Sequence, residues 1–456
     1  MSDPMFSASR RRALQRLSAS TAAAGLAQLS SLAARAQTAT GYKALVCIFL
    51  YGGNDGHNLL IPASAAGYAA YRSARGMLAL PDGHGTLMPV TAATGGVPYA
   101  LHSGLAAIHP LWSQGRLAAV ANVGPLMAPT TRAQYLAGSV AQPTQLFSHP
   151  DQQMQMQAGN ATGGGGTGWG GRATDELQKL GFNGGSGFPS AVSVAGQVLY
   201  TTGNVVPSAS LVPGLDMRGN GMSSYVASAT AARQRALDEV LAIDGGFTMV
   251  GAANKVRQNA ITLSNLLAGA GSASIATTFP STALGTQLKQ VAQLIKLRGS
   301  TGLSRQVFFC SLGGFDTHSG QAYQQYDLFT QLGQAMAAFY AATVELGQQN
   351  AVTTFTLSDF GRSLQPSGTG SDHGWGNHQM VMGGSVKGGD VFGTFPSLAL
   401  GGPDDCGNRG VLIPSTAVEQ FGATLARWYG VGDSATLDKI FPRLPLFSAR
   451  DLGFMA

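Results

Sequence analysis

Four stretches of the chain are apolar or β-branched at almost every position: Ala44–Tyr51 (ALVCIFLY), Leu117–Val123 (LAAVANV), Val307–Leu312 (VFFCSL) and Val352–Leu357 (VTTFTL). None contains Gly or Pro. A strand covered by helices on both faces loses the alternation of a half-exposed strand and reads as such a run. Between the strands the apolar period changes. Thr286–Leu297 carries Leu288, Val291, Leu294 and Ile295 on one side of a helix. Helices are also predicted over His102–Gln114, Arg172–Leu180, Ala229–Ile243, Val256–Leu267, Gln321–Gly347 and Thr416–Tyr429. Strands alternating with helices predict an α/β fold with a mostly parallel sheet. Residues 182–300, with brief strands at Ala191–Val194 and Val198–Thr202, read as an α-rich insertion or cap.

The polar residues just past the strands change the picture. The first strand runs into GGNDGHN, with Asp55; the third into GGFDTHSGQ, with Asp316 and His318; the fourth into SDFGR, with Asp359 and Arg362. A Gly-rich loop, SDHGWGNH, follows with Asp372, His373 and His378. In open α/β sheets, ligands sit beyond the carboxyl ends of the strands. Acids gathered on one rim repel each other unless a cation neutralises them. Mixed Asp/His ligands suit zinc, or manganese; an all-oxygen set would suit calcium or magnesium. The competing reading is local: Asn-Asp-Gly is ordinary turn chemistry, and Asp359 can cap a turn. Ser148, in LFSHPDQQ, stands where a helix begins, with Pro150 in the first turn and Asp151 at the capping-box position. It reads as a cap, as a nucleophile at a positive helix end, or as both. His149 is a neighbouring polar group. The Gly163–Gly171 run lacks the Lys-Ser/Thr of a phosphate loop and follows no strand.

The net charge of +6 is misleading, because five arginines and one aspartate fall in residues 1–36 and the remainder carries only +2. Nothing there argues for nucleic-acid binding. Those first residues, SRRRALQRL followed by a modest apolar run and Ala34-Arg35-Ala36, read as a signal peptide with paired arginines Arg10 and Arg11. Residues 37–456 then form a single domain, periplasmic or secreted. Three cysteines make no disulfide framework.

The segments FLYGGNDGHN, the Ser-His helix start before WGGR, GGFDTHSGQ, SDFGR and DHGWG with MVMGGSVKGG span residues 49 to 389. In these the chain resembles a family of twin-arginine-exported bacterial proteins related to alkaline phosphatases and sulfatases, a family defined by sequence rather than by a reaction. The resemblance implies a three-layer α/β/α sandwich with one or two divalent ions and the twin-arginine translocase as partner during export. It matches Asp55 to the ligand after the first strand and Ser148 to the nucleophile. Asp316 and His318 match a paired ligand position, Asp359 the next acid and His373 the late histidine. The chain departs where the superfamily often has Asp-x-x-x-His (here Asp316-Thr-His318) and Asp-His (here Asp359-Phe360). One ion then lacks a ligand unless His378 or Asp372 supplies it. Ser148 is not followed by the Pro-Ser-Arg pattern that accompanies formylglycine. The implied activity is hydrolysis of a small anionic phosphate or sulfate ester, with Ser148 attacking and Arg362 clamping an oxyanion or forming a salt bridge. The alternative is a non-catalytic exported protein that binds or assembles an envelope component.

Overall fold

The computed structural model describes residues 41–82, 85–184, 186, 188–213, 226–243, 246–268 and 274–456. The expected signal segment, 1–36, lies outside them. In chain order the strands are β1 (Lys43–Leu50), β2 (Leu60–Pro62), β3 (Leu87–Thr91), β4 (Pro98–His102), β5 (Leu117–Gly124), β6 (Ala191–Ser193), β7 (Ser208–Ser210), β8 (Arg305–Leu312), β9 (Val352–Ser358), β10 (Arg362–Ser367), β11 (Gly370–His373), β12 (Asn377–Gly383), β13 (Val391–Phe392) and β14 (Thr416–Ala417). The main helices are α1 (Ala65–Arg75), α2 (His149–Ala158), α3 (Trp169–Lys179), α4 (Ala227–Leu241), α5 (Thr248–Ala268), α6 (Ala283–Lys296), α7 (Gln321–Glu345) and α8 (Val418–Tyr429).

The predicted apolar runs are the middle of a nine-stranded sheet, ordered β13-β5-β12-β9-β1-β8-β6-β7, with β14 also paired to β5. β1 lies between β8 and β9, parallel to both, and Ala44–Leu50 are completely buried. Only β12 runs against the rest, antiparallel to β9 and to β5. Successive side chains of a strand point to opposite faces. Leu45, Cys47 and Phe49 of β1 pack in one cluster with Trp169 of α3 and Phe421 and Tyr429 of α8. On the other side α6 packs against β8 and against α7. The result is an α/β/α sandwich with a mostly parallel sheet. Residues 182–300 hold α4, α5 and α6 as well as β6 and β7, which extend one edge of the sheet. Among the described residues, no helix is long and apolar enough to cross a membrane.

Three expectations are corrected. The helix over His102–Gln114 is instead the end of β4 followed by two single turns, because Pro110 has no N–H to continue a helix and opens the second turn. The strand at Val198–Thr202 does not form. The amides of Gly168 and Gly171 bond to the carbonyls of Thr202 and Tyr200, which docks that segment on the start of α3. A Cβ on Gly168 would lie 2.1 Å from the Leu199 carbonyl oxygen, so this close approach is what the Gly-rich run serves. The Gly-rich loop around His373 and His378 is in fact the β10–β11 hairpin and the start of β12.

Candidate metal centre

The parallel strands β1, β8 and β9 finish at one edge of the sheet. β12 starts there because it runs the other way, so the β10–β11 hairpin that joins β9 to β12 stays at that edge. Within the hairpin Arg362 is the cross-strand partner of His373. Asp316 follows β8, Asp359 follows β9, and His149 is the first residue of α2.

These groups converge on a single oxygen. Asp316 Oδ1 lies 2.9 Å from His318 Nε2, 3.5 Å from His149 Nε2 and 3.5 Å from His373 Nε2, and accepts a hydrogen bond from Arg362 Nη1 at 2.8 Å. His318 Nε2 and His373 Nε2 are 3.2 Å apart. The ligand atoms of His149, Asp316 and His373 all lie within 4.8 Å of one another. Around a tetrahedral zinc with ligands at 2.0–2.1 Å, ligand atoms are about 3.3–3.4 Å apart, close to the 3.5 Å that separates Asp316 Oδ1 from His149 Nε2 and from His373 Nε2.

The tautomers explain why such a cluster wants a cation. His373 Nδ1 donates to the Phe147 carbonyl at 2.9 Å, and His149 Nδ1 donates to Asp359 Oδ2 at 2.6 Å. A neutral ring that donates through Nδ1 has only a lone pair on Nε2. His149 Nε2 is buried with no hydrogen-bond partner among the described residues. When both rings are neutral, two imidazole lone pairs face a carboxylate oxygen, an arrangement that a divalent cation stabilises. The carboxylate behind His149 fixes its ring as second-sphere carboxylates do at zinc sites. Asp359 is completely buried; it also accepts from Gln153 Nε2 at 2.8 Å and from the Gly52 amide at 3.2 Å.

The sequence of the family described as "Protein of unknown function (DUF1501)" matches residues 42–407. The chain belongs to the DUF1501 family. Among curated proteins none matches it. Among solved structures it is similar to the C-terminal periplasmic domain of EcEptC from Escherichia coli, in complex with zinc, at 9% identity and a TM-score of 0.31, with 75% of this chain and 73% of that one covered. It is also similar to the PsFucS1 sulfatase from Pseudoalteromonas sp. at 10% identity and a TM-score of 0.35, with 94% and 76% covered. Likeness at this level fixes neither site residues nor activity.

In this DUF1501 chain the structure brings Asp316, His318 and His373 together, with Asp359 one step behind. It adds His149, whose signal was the Ser-His start of a helix at the strand-end rim. It does not bring Asp55 or His378 into the cluster. Asp55 is buried and paired with Arg75 of α1; Gln321 and the His57 amide also donate to it. His378 Nδ1 accepts from the Asn122 amide at 3.1 Å, so its Nε2 carries the proton and offers no lone pair to a metal. Its ring stacks on Phe395, and burial pushes its pKa down to about 3. Asp372 lies on the rim, 3.5 Å from His318 Nδ1 and paired with Arg409 at 2.7 Å. Arg362 is buried and spends its guanidinium on Asp316, the Gly52 carbonyl and both Oγ and the carbonyl of Ser371, so it is a salt-bridge and scaffold residue in this geometry.

Ser148 is the N-cap residue of α2, but its hydroxyl caps no backbone amide and donates to Asp151 Oδ2 at 2.5 Å. Phe360, which directly follows Asp359, lies with its ring 4.7 Å from that of His149 and 4.8 Å from that of His373, an apolar wall for the cluster. The preceding glycines make room for it. A Cβ on Gly53 (φ +79°) would come within 2.5 Å of the Phe360 ring, and one on Gly52 (φ +111°) within 2.4 Å of the Asp316 amide.

Charge follows the geometry. The hydrogen bond to Asp359 raises His149 above its ordinary value, against the effect of burial. Burial lowers His373. Burial would raise the Asp316 carboxyl, but the Arg362 hydrogen bond and charge, with His318 and His149 behind them, bring it below its ordinary value.

Proposed function

We propose that this protein is an exported, metal-dependent hydrolase of small phosphate or sulfate esters. The observation that carries the reading is the convergence of His149 Nε2 and His373 Nε2, each at 3.5 Å, on Asp316 Oδ1 at the carboxyl edge of the sheet. His149, Asp316 and His373 would hold one divalent ion, with His318 beside them as a partner of Asp316; the nitrogen-rich donor set favours zinc. Such an ion supplies Lewis-acid stabilisation of ester oxygens and lowers the pKa of a bound hydroxyl or water. Asp359 orients His149, Phe147 orients His373 through its carbonyl, and Phe360 keeps water from one side of the pair. Ser148 is the proposed nucleophile, and Asp151, hydrogen-bonded to its hydroxyl, the base that takes its proton. The twin-arginine segment would deliver the folded protein to the periplasm.

A second reading is a binding or envelope-assembly protein that holds a structural ion. It draws on the full engagement of Arg362, which leaves the clamp for a substrate oxyanion unassigned. One experiment separates the two. The purified mature chain is assayed with aryl phosphate and aryl sulfate before and after chelation, with zinc content measured in parallel. Turnover that is lost on chelation and restored by zinc supports the hydrolase; bound zinc with no turnover on either ester favours the binding protein.

A further inference from the structure

Asp55 stands outside the metal cluster, yet a continuous buried path leads from it to Asp316. Asp55 Oδ2 accepts from Gln321 Nε2; Gln321 Oε1 accepts from the Ser371 hydroxyl at 2.6 Å; Ser371 Oγ accepts from Arg362 Nε at 3.3 Å; Arg362 Nη1 donates to Asp316 Oδ1 at 2.8 Å. Asp55, Gln321, Ser371 and Arg362 are all buried, and they come from four separate segments: the turn after β1, the start of α7, β11 and β10.

We propose that Asp55 is a positioning residue for the metal centre, acting through Gln321, Ser371 and Arg362 to fix the Asp316 oxygen that faces the histidines. The relay has only one sense. A carboxylate accepts and cannot donate, so Asp55 forces the amide nitrogen of Gln321 toward itself and the amide oxygen toward Ser371. That oxygen takes the single hydroxyl proton of Ser371, whose lone pair is then turned to Arg362. A flipped Gln321 would set two acceptors against each other at Asp55 and take from the Ser371 hydroxyl proton its acceptor. The cost of burying the Asp55–Arg75 pair argues the same way. Desolvating two charges seldom adds stability over an apolar pair, whereas a fixed negative charge is what the relay needs at its far end.

The inference rests on the metal reading, and the test separates them. Zinc affinity of the mature chain is measured by competition with a chromophoric chelator, for the wild type, Ser371→Ala and Asp55→Asn. Ser371→Ala cuts the link between Gln321 and Arg362 and leaves every direct ligand in place. It is expected to weaken zinc binding about tenfold or more, as loss of outer-shell partners does, with Asp55→Asn shifting in the same direction. If Ser371→Ala does not fold, Gln321→Asn, which withdraws the carboxamide by one methylene, takes its place. Wild-type affinity in these variants overturns the relay and leaves the metal reading standing, even where the metal-free unfolding midpoint falls, since that is what a purely structural role would do. A wild type that binds no zinc removes the metal reading and the relay together.

Discussion

Asp359→Asn is the sharpest single perturbation of the site. The change is nearly isosteric, so packing at this completely buried position is kept. What changes is the donor count. Every neighbour of the Asp359 carboxylate is a donor: His149 Nδ1 and Gln153 Nε2 at Oδ2, and the Gly52 amide at both oxygens. A carboxamide has one acceptor oxygen and an NH2 group. With its oxygen toward His149 and Gln153, the NH2 faces the Gly52 N–H; turned over, it faces two donors and pushes His149 toward the other tautomer, with a proton on the metal-facing Nε2. A buried unmet donor costs roughly 1–3 kcal/mol, so the metal-free variant should lose about that much stability. Zinc affinity should fall about 10–100-fold, the usual effect of removing an outer-shell carboxylate, which is about 1.4–2.7 kcal/mol. Chelator competition gives the affinity and urea unfolding the stability. In the metal-free protein an NMR titration should show His149 shifted down, because its strongest raising contact, the hydrogen bond to Asp359, is weakened. Wild-type zinc affinity in Asp359→Asn would refute the assignment of His149 as a ligand held by Asp359.

Three other predictions test separate features. Ser148→Ala should abolish ester turnover at a stability cost of about 1 kcal/mol or less, since among the described residues the hydroxyl bonds to Asp151 alone; unchanged turnover makes Ser148 a helix-start residue and nothing more. Glu419, completely buried in the first turn of α8, has its carboxyl pushed up from 4.5 to about 8 by burial. The unfolded chain ionises this group from pH 4.5 upward while the folded one holds its proton to about 8, so stability present in acid should be lost across that window by up to about 1.4 kcal/mol per pH unit. Glu419→Gln should flatten the dependence, and urea midpoints at pH 5 and 8 that differ as much in the variant as in the wild type would count against it. Changing both Arg10 and Arg11 to Lys should leave the protein in the cytoplasm; periplasmic recovery at the wild-type level would mean another export route.

Local sequence was enough to place the core strands. Ala44–Tyr51, Val307–Leu312 and Val352–Leu357 are apolar on both faces because helices cover both, and that condition is written residue by residue. It also placed Asp316, His318 and Asp359, since each follows directly on such a strand. Tertiary structure decided which polar groups meet. His373 reaches the rim only because β12 is antiparallel, a direction set by pairing with β5 and β9 that no local pattern encodes. His149 becomes a candidate ligand because a carboxylate 210 residues away claims its Nδ1 and turns Nε2 toward Asp316. Asp55 looked like Asp316 and Asp359 in sequence, but Arg75, on a helix twenty residues further on, takes its charge before a metal can. A carboxylate goes to whichever partner the fold brings nearest. Nearness between residues far apart in the chain is a property of the packed sheet, not of the residues that flank each acid.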